Sequence, residues 1–249
     1  MRMIVTDLDG TLLRDDKTIS PYTASVLHGI QQQGTKIVIA TARPRRATMP
    51  YIQQIKPDAV ILHNGALVYI GDELYRNFGI SIDVAEKILQ HAAVQFPKML
   101  LSVEIDDTLY ANFDFAPAGW EYIPSNFSNL PGRAADKILF SANDIDSLNV
   151  IASTLPKELH AIIGLDNLLM VMNKNACKYL AIKDVAAYYG ITHTSITAFG
   201  DDTNDIEMLK HCSTGVAMAN AATNIQQAAN HVCDTNQNDG VAHWLTKNM

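Results

Sequence analysis

The sequence predicts an α/β protein whose core is a doubly wound parallel sheet, interrupted by an inserted α+β module. In residues 1–80 and 176–249, short apolar strand patterns alternate with amphipathic helix patterns, as in strands joined by crossover helices. In residues 81–175, a helix followed by two strands occurs twice, which is typical of an antiparallel sheet with packed helices. We therefore expect a discontinuous core domain, residues 1–80 with 176–249, and a second domain of residues 81–175.

The first core segment opens with a short apolar run, Met3 to Thr6, which predicts a buried strand. A helix should follow, because Ser20 can cap its first turn and Gly34 lies just past its end. The later elements expected in this segment are strand Lys36 to Ala40, helix Arg45 to Ile55, strand Ala59 to Leu62, and the antiparallel strands Ala66 to Tyr69 and Glu73 to Tyr75.

The inserted segment begins with a helix that Ser81 can cap and that carries its apolar residues on one face. Its later elements are strands Met99 to Ile105 and Thr108 to Ala111, a Pro- and Gly-containing loop from Ala116 to Ala135, strand Lys137 to Ser141, helix Asn143 to Leu155, and strands His160 to Gly164 and Leu168 to Met172. The second core segment returns to alternation, with helix Ala176 to Tyr189, strand Ser195 to Phe199, helix Asp205 to Lys210, strand Gly215 to Met218, helix Thr223 to Ala229, strand His231 to Cys233 and helix Val241 to Lys247.

The composition excludes several classes of protein. The 249 residues are 48% hydrophobic and 18% charged, which is ordinary for a folded globular protein. A net charge of −7 argues against nucleic acid as the main partner, because phosphate backbones are bound by excess Lys and Arg. No stretch resembles a secretory signal or a membrane span, and the three cysteines fit neither a zinc site nor a disulfide framework. We expect a soluble, cytoplasmic protein that binds neither nucleic acid nor membrane; the sequence indicates no particular oligomeric state.

Two acidic motifs directly follow predicted parallel strands. They are Asp7-Leu8-Asp9-Gly10-Thr11 and Gly200-Asp201-Asp202-Thr203-Asn204-Asp205. Either alone could be ordinary, since Asp-Gly is common in turns and Asp and Asn commonly cap helices. However, the carboxyl ends of parallel strands form one edge of the sheet, where ligands bind. So many carboxylates at that edge are costly unless a hard cation binds them, and oxygen ligands suit Mg²⁺.

Two further positions could complement a phosphate group. Thr41-Ala42-Arg43 follows the predicted strand that ends at Ala40, and a hydroxyl and loop amides there could bind phosphate oxygens. Lys178 lies near the start of a predicted helix. Taken alone, a threonine after a strand usually caps or packs, and a lysine on a helix is usually solvated. These residues become candidates only in combination with the acidic motifs.

The chain resembles the haloacid dehalogenase superfamily at four motifs, which occur in the family's order: Asp7-x-Asp9-Gly10-Thr11, Thr41, Lys178 and Gly200-Asp201-x-x-Asn204-Asp205. More narrowly, it resembles the Cof-type sugar-phosphate phosphatases, with further matches at His63-Asn64-Gly65-Ala66, Ala217-Met218-Ala219-Asn220-Ala221 and Asp239-Gly240-Val241-Ala242. The resemblance covers nearly all of the core. The insertion lies where that family carries its type IIB α+β cap, the substrate-specificity domain.

The resemblance implies a magnesium-dependent phosphatase for small phosphate monoesters, with sugar phosphates as the leading class. It implies that Asp7 is the nucleophile that becomes phosphorylated, and that Asp9 is first the general acid and then the base. The implied metal residues are Asp7, Asp201 and the backbone carbonyl of Asp9, with Asp205 orienting the metal's waters or Lys178. The implied phosphate-binding residues are Thr41, Ala42, Arg43, Lys178 and Asn204.

Three departures from the family pattern bear on the substrate more than on the reaction. Ala42 and Tyr179 occupy positions where Gly is common, and Asp202 occupies one that is often small. A phosphotransferase or phosphomutase would share the phosphorylated aspartate, so that alternative stays open. A non-catalytic binding module is disfavoured because it would lack Asp7 or Asp9, and a chloride-releasing dehalogenase because it would lack the Asp9 and magnesium arrangement.

The sequence does not name the substrate. Pyridoxal phosphate, flavin mononucleotide and nucleotides are alternatives to a sugar phosphate. The loop from Ala116 to Ala135 is the candidate for substrate contact, and its aromatic residues Trp120, Tyr122 and Phe127 can either stack on a ligand or pack in the core of the inserted domain.

Overall fold

The computed structural model of the chain describes residues 1–114, 120–164 and 167–249. The chain forms two compact units, which are Met1–Asn77 with Cys177–Met249, and Phe78–Ala176. The predicted α/β class is confirmed, because the first unit contains a largely parallel sheet and the second a largely antiparallel one. Among the described residues, no helix is long and apolar enough to cross a membrane.

The first core segment contains five strands and two helices. Ser20 caps the first helix as predicted, since its side-chain oxygen accepts a hydrogen bond from the Thr23 backbone N–H at 3.0 Å. The elements are β1 (Met3–Thr6), α1 (Pro21–Gln32), β2 (Lys36–Ala40), α2 (Arg45–Ile55), β3 (Ala59–Leu62), β4 (Leu67–Ile70) and β5 (Glu73–Asn77).

The described residues of the second unit form a six-stranded sheet and two α-helices, and the strand order is β10-β11-β9-β6-β7-β8. Its elements are α3 (Ile82–Gln95), β6 (Leu100–Ile105), β7 (Thr108–Ala111), β8 (Ile123–Pro124), β9 (Lys137–Ser141), α4 (Ile145–Thr154), β10 (Leu159–Ile163) and β11 (Leu168–Asn173). Leu89 of α3 and Leu148 of α4 share one buried cluster with Leu101 and Phe140 of the sheet. The helices therefore cover one face of this sheet.

The second core segment supplies three further parallel strands and four helices. They are α5 (Lys178–Tyr188), β12 (Ile196–Gly200), α6 (Ile206–His211), β13 (Thr214–Ala217), α7 (Thr223–Gln226), β14 (His231–Val232) and α8 (Gly240–Asn248). The complete core sheet has the order β14-β13-β12-β1-β2-β3-β4-β5. Strands β14 to β3 are parallel, and β4 and β5 are antiparallel to their neighbours. From β1 the chain first adds β2 to β5 on one side of the sheet, and later β12 to β14 on the other side. The strand order therefore reverses between β1 and β12.

The core sheet is covered on both faces. Ile37 of β2 shares a buried cluster with Leu27 of α1 and Leu245 of α8. The next residue, Val38, shares a different cluster with Ile182 of α5. Successive side chains of a strand point to opposite faces, so the near-continuous apolar strands follow directly from burial on both sides.

Several element boundaries predicted from the sequence are wrong. The helix expected from Asn143 begins at Ile145, because the Asp144 carboxylate accepts the Ser147 backbone N–H at 2.8 Å and caps it there. The helix expected from Ala176 begins at Lys178, because Cys177 has an extended backbone. The helix predicted to reach Ala229 ends at Gln226, and the short strand β8 was not predicted.

The candidate substrate loop is only partly described, since residues 116–119 lie outside the described ranges. Phe127 is 0% exposed and belongs to the apolar core of the second unit. Trp120 is 46% exposed, and the Tyr122 hydroxyl donates a hydrogen bond to Asp114 at 3.0 Å. Phe127 is therefore a packing residue, and Trp120 remains available for contact with a ligand.

Candidate active site

The candidate residues lie at the carboxyl ends of four neighbouring parallel strands, β12, β1, β2 and β3. Asp7 follows β1, Asp201 follows β12, Thr41 follows β2, and the turn His63–Gly65 follows β3. The backbone N–H of Asp7 donates to the Phe199 carbonyl at 3.0 Å, which places the two acidic loops side by side. This is the edge where the strand order reverses, the position at which doubly wound sheets bind ligands.

Three carboxylates form a cluster at this edge. Asp7, Asp201 and Asp205 each place one oxygen within 4.8 Å of the others. The Thr11 hydroxyl donates to Asp201 Oδ1 at 2.6 Å and orients that carboxylate. Gly10 has a φ of +74°, and a Cβ atom there would collide with the Asp201 carboxylate. The glycine of the first acidic motif is therefore needed both for its backbone conformation and for the space it leaves.

Lys178 lies between two of these carboxylates. Its Nζ donates to Asp7 Oδ1 and to Asp205 Oδ1, at 2.7 Å each, and its side chain is 1% exposed. As the first residue of α5, it adds positive charge at the positive end of the helix dipole, which costs about 0.3–1 kcal/mol. Burial alone would lower the pKa of Lys178, but Asp205 and Asp7 outweigh it and raise that pKa. The lysine is thus held charged inside the site, and the solvated-lysine interpretation is wrong.

Asp205 stabilises the cluster through hydrogen bonds to Lys178 and to two backbone amides. Its Oδ1 accepts from Lys178, and its Oδ2 accepts the backbone N–H groups of Asp201 and Asp202 at 3.0 and 3.1 Å. Both oxygens are therefore engaged by the protein. Asp202 itself caps the short 3₁₀ turn that follows, by accepting the Thr203 N–H at 2.7 Å. The capping interpretation of this motif is correct for Asp202 and describes only part of the role of Asp205.

Burial, together with neighbouring negative charges, raises the pKa of two acids of the cluster. Burial raises the pKa of Asp7 well above its usual range, Lys178 opposes that rise, and the negative charges of Asp205 and Asp201 add to it. Burial also raises the pKa of Asp201 to about 6, against the hydrogen bond from Thr11. Both shifts show carboxylates whose negative charge is incompletely neutralised by the protein. A hard divalent cation with oxygen ligands fits this donor set.

The Asp9 carboxylate points to cations instead of to the acidic cluster. Arg43 binds it through Nε at 2.5 Å and Nη2 at 2.6 Å, and Lys17 Nζ lies 2.9 Å away. Partial burial pushes the pKa of Asp9 upward, but the hydrogen bonds from Arg43 and then Lys17 outweigh it and hold the pKa below its usual value. Asp9 is therefore ionised in this arrangement, and its side chain is not one of the three clustered acids.

The loop after β2 places the predicted phosphate-binding residues beside Asp9. Thr41 is 1% exposed, and its hydroxyl oxygen accepts the Arg43 backbone N–H at 3.2 Å, which closes the turn. A hydroxyl that accepts in this way can still donate its own hydrogen. Ala42, which lies between Thr41 and Arg43 in the chain, is half-buried. The Arg43 guanidinium also lies 3.3 Å from the Tyr51 hydroxyl, so this arginine is anchored on both sides.

Asn204 is held by a residue whose role the sequence did not indicate. Its Nδ2 donates to Asn64 Oδ1 at 2.8 Å. Its Oδ1 is buried and has no hydrogen-bond partner among the described residues. Lys17 and Asn220 were also missed: Lys17 binds Asp9, and Asn220 Nδ2 donates to the Gly10 carbonyl at 2.8 Å. Asn64 and Asn220 belong to matched motifs that could have identified them, whereas no sequence pattern identifies Lys17.

Known proteins are similar to this sequence over nearly its whole length. The profile of haloacid dehalogenase-like hydrolases matches residues 4–245. The chain is 30% identical over 261 residues to a 5-amino-6-(5-phospho-D-ribitylamino)uracil phosphatase of Bacillus subtilis, covering 98% of this chain and 96% of that protein. It is 30% identical over 254 residues to the HMP-PP phosphatase of Cronobacter sakazakii, covering 96% and 93%.

Solved structures share the fold. A haloacid dehalogenase-like hydrolase from Bacteroides thetaiotaomicron has a TM-score of 0.88 at 23% identity, covering 100% of this chain and 99% of that chain. A sugar phosphatase of subclass IIB of the same superfamily has a TM-score of 0.85 at 21% identity, covering 99% and 98%. At these identities the likeness establishes the architecture, an α/β core with an inserted domain.

Proposed function

The chain belongs to the haloacid dehalogenase-like hydrolases, which confirms the resemblance seen in its sequence, and from that premise we propose a mechanism and a substrate class. Relatives aligned over nearly the whole chain are phosphatases, and this chain is a phosphatase. We propose that it hydrolyses small phosphate monoesters through a phosphorylated Asp7, with Mg²⁺ bound beside that residue. The observation that carries the proposal is the cluster of Asp7, Asp201 and Asp205 around Lys178, in which Asp201 is half-buried and the other two acids are buried.

Asp7 and Asp201 are the carboxylates that would hold the metal directly. Asp205 would act through its neighbours, because its oxygens already bind Lys178 and two backbone amides. The raised pKa of Asp7 and of Asp201 supports this assignment, since a bound cation would stabilise both ionised forms. When bound, Mg²⁺ would neutralise charge on the phosphate and on the attacking carboxylate.

Asp7 is suited to nucleophilic attack because it is buried and held in one orientation. A carboxylate that approaches a phosphate oxygen to ~3.5 Å meets repulsion of about 5 kcal/mol per charge pair at an effective dielectric of 20. Lys178, 2.7 Å from Asp7 Oδ1, offsets part of that repulsion and restricts the rotation of the carboxylate. The attack forms a bond from Asp7 to phosphorus and breaks the bond from phosphorus to the leaving oxygen.

Asp9 would move the protons. It must give a proton to the leaving oxygen, and later take one from the water that attacks the phosphorylated Asp7 and releases phosphate. The Arg43 pair keeps Asp9 ionised in the described arrangement. A phosphate group would compete with Asp9 for Arg43, so substrate binding would weaken this pair and raise the pKa of Asp9. The same contact would thus link phosphate binding to protonation of the acid.

The substrate class is a small phosphorylated metabolite, with sugar phosphates as the leading candidates. Relatives act on 5-amino-6-(5-phospho-D-ribitylamino)uracil and on HMP-PP, and a structural neighbour is a sugar phosphatase. We propose that residues 81–175 act as the cap that recognises the non-phosphate part. In support, the second unit has a cavity of about 360 Å³ whose lining combines apolar Leu139 and Met170, exposed Trp120, and charged Glu104 and Lys137.

Trapping of the intermediate tests the mechanism. Asp9→Asn should leave the Asp7 cluster intact and remove both proton transfers, so that phosphorylation by an aryl phosphate with a good leaving group outlasts hydrolysis of the intermediate. Mass spectrometry should then show one added phosphoryl group mapped to Asp7. The matched control, Asp7→Asn, should show none. An unmodified Asp7 during turnover would mean that water attacks the substrate directly, and the covalent mechanism would be abandoned.

Exchange of the inserted segment tests the proposed recognition role. Residues 81–175 are replaced by the corresponding segment of a relative, and phosphate release is measured over a panel of phosphorylated metabolites. We expect the preferred substrate to change while the metal requirement stays. A preference that stays with the core would show that the inserted domain does not select the substrate.

A further inference from the structure

We propose that Asn64 is a positioning residue of the phosphate site, which fixes the carboxamide of Asn204 and the backbone of the Thr41 loop in one arrangement. The inference rests on the proposed function, in which Thr41 and Asn204 bind the phosphate. Asn64 would act through these residues and would not itself touch the substrate.

The turn His63–Gly65 is bonded to both phosphate-binding segments. Asn64 Oδ1 accepts from Asn204 Nδ2 at 2.8 Å, and the Asn64 backbone N–H donates to the Thr41 carbonyl at 3.0 Å. The His63 backbone N–H donates to the Arg43 carbonyl at 3.3 Å. Asn64 is 3% exposed, so these bonds are shielded from water. A single buried residue therefore joins the loop after β2 to the loop after β12.

The same turn also contacts the segment that carries the catalytic lysine. Gly65 has a φ of +106°, and a Cβ atom there would lie 2.5 Å from the carbonyl oxygen of Cys177. Cys177 directly precedes Lys178, the first residue of α5. The backbone of the turn therefore fits closely against a third functional segment, and only glycine leaves room for that contact.

The backbone conformation of the turn separates the role of the Asn64 side chain from that of its main chain. His63 and Asn64 have φ values of +48° and +58°, a region that is strained for most residues and that glycine adopts freely. Conformation alone would therefore be met best by glycine at position 64. What asparagine adds is the carboxamide oxygen, and that oxygen is the acceptor for Asn204. Strain that is tolerated for a specific contact is typical of functional sites.

Loss of this contact should loosen Asn204. Its Oδ1 has no hydrogen-bond partner among the described residues, so the bond from Nδ2 to Asn64 is the contact that fixes the plane of the amide. An Asn204 side chain that rotates freely must be immobilised again when phosphate binds, which would weaken binding by about two- to tenfold. The effect should therefore appear in phosphate affinity more than in the chemical step.

Asn64→Gly is the informative variant, because glycine keeps the left-handed backbone and removes only the carboxamide. The measurements are the Ki of inorganic phosphate as a competitive inhibitor of p-nitrophenyl phosphate hydrolysis, the KM and kcat of that reaction, and the Tm. The matched control is Asn167→Gly in the second unit, which replaces another left-handed asparagine, with φ +54°. We expect Ki and KM to rise about two- to tenfold in Asn64→Gly, with a smaller change in kcat, and to stay at the parent values in Asn167→Gly.

A double-mutant cycle with Asn204→Ala tests whether Asn64 acts through Asn204. Asn204→Ala should raise Ki by about tenfold or more, and adding Asn64→Gly should then change Ki no further. A parent-like Ki in folded Asn64→Gly, or effects that multiply in the double variant, would overturn the inference and leave the proposed function standing. Absence of p-nitrophenyl phosphate hydrolysis by the parent protein with Mg²⁺ would instead refute the proposed function, and the inference with it.

Discussion

Replacing Lys178 by methionine removes an ammonium group from between two buried carboxylates while keeping most of the side-chain volume. Lys178 Nζ lies 2.7 Å from Asp7 and 2.7 Å from Asp205, and the lysine side chain is 1% exposed. At an effective dielectric of 20, one such pair attracts by about 6 kcal/mol before desolvation is subtracted. Breaking a buried pair by removing one partner costs about 3–5 kcal/mol net. That range is the expected loss in unfolding free energy for the Mg²⁺-free variant near neutral pH.

The loss should depend on pH in a definite direction. Burial already raises the pKa of Asp7, and without Lys178 that pKa rises further. An acid whose pKa is higher in the folded state favours folding at low pH, and this contribution is lost as pH rises through the folded-state pKa. The difference between Lys178→Met and the parent should therefore be larger at about pH 8 than at about pH 5. Urea denaturation of the metal-free proteins measures it.

The same variant should lose activity. We expect kcat/KM for p-nitrophenyl phosphate at saturating Mg²⁺ to fall by about 10²-fold or more, equivalent to about 2.7 kcal/mol, because phosphate and Asp7 then approach without their shared cation. The matched control is Lys183→Met, which removes an exposed lysine from the same helix and should behave like the parent. Activity of Lys178→Met within about twofold of the parent would show that the buried lysine does not assist the reaction.

Three other predictions concern the metal and the acid. Chelation of divalent metal should abolish activity, and added Mg²⁺ should restore it. Ca²⁺ should inhibit, because the larger coordination shell of Ca²⁺ misplaces the attacking carboxylate. Full activity after exhaustive chelation would exclude a role for the metal in the reaction. Mg²⁺ affinity, measured by calorimetry, should increase as pH rises through the raised pKa of Asp201, about 6, because binding must displace protons. Arg43→Met should raise the pKa of Asp9 in the free enzyme, so that the alkaline limb of the kcat/KM profile for an alkyl phosphate moves to higher pH. Arg45→Met should leave that limb in place, and an unmoved limb in Arg43→Met would exclude Asp9 as the acid.

Local signals in the sequence were sufficient to predict which loops form the site. The strand from Met3 to Thr6 is apolar and short, so the acids that follow it had to emerge at the carboxyl edge of a parallel sheet. The same reasoning located Asp201 after β12. These predictions depend on residues close together in the chain and on a general property of α/β sheets, which is why they needed no knowledge of side-chain contacts.

Contacts between residues that are far apart in the sequence were harder to predict. The sequence alone could not show that Lys178 reaches Asp7, 171 positions away, or that Asp9 turns to Lys17 and Arg43. These outcomes depend on rotamers that the surrounding packing selects. The resemblance to a known family supplied Lys178 as a candidate, whereas Lys17 belongs to no matched motif. The sequence therefore predicted which residues meet at the site better than it predicted which partners each one chooses.

On the proposed mechanism, the distribution of charge gives the metal and the phosphate-binding loop separate tasks. Three carboxylates surround one ammonium group, which leaves an excess of two negative charges when all are ionised, and a divalent cation cancels that excess. The phosphate would still bring negative charge of its own. Besides Lys178 it could meet Arg43 and Lys17, both of which are bound to Asp9. On the proposed mechanism, phosphate would draw on Arg43 and Lys17 and so weaken their hold on Asp9. The proposed acid would then be released for proton transfer only when substrate is present.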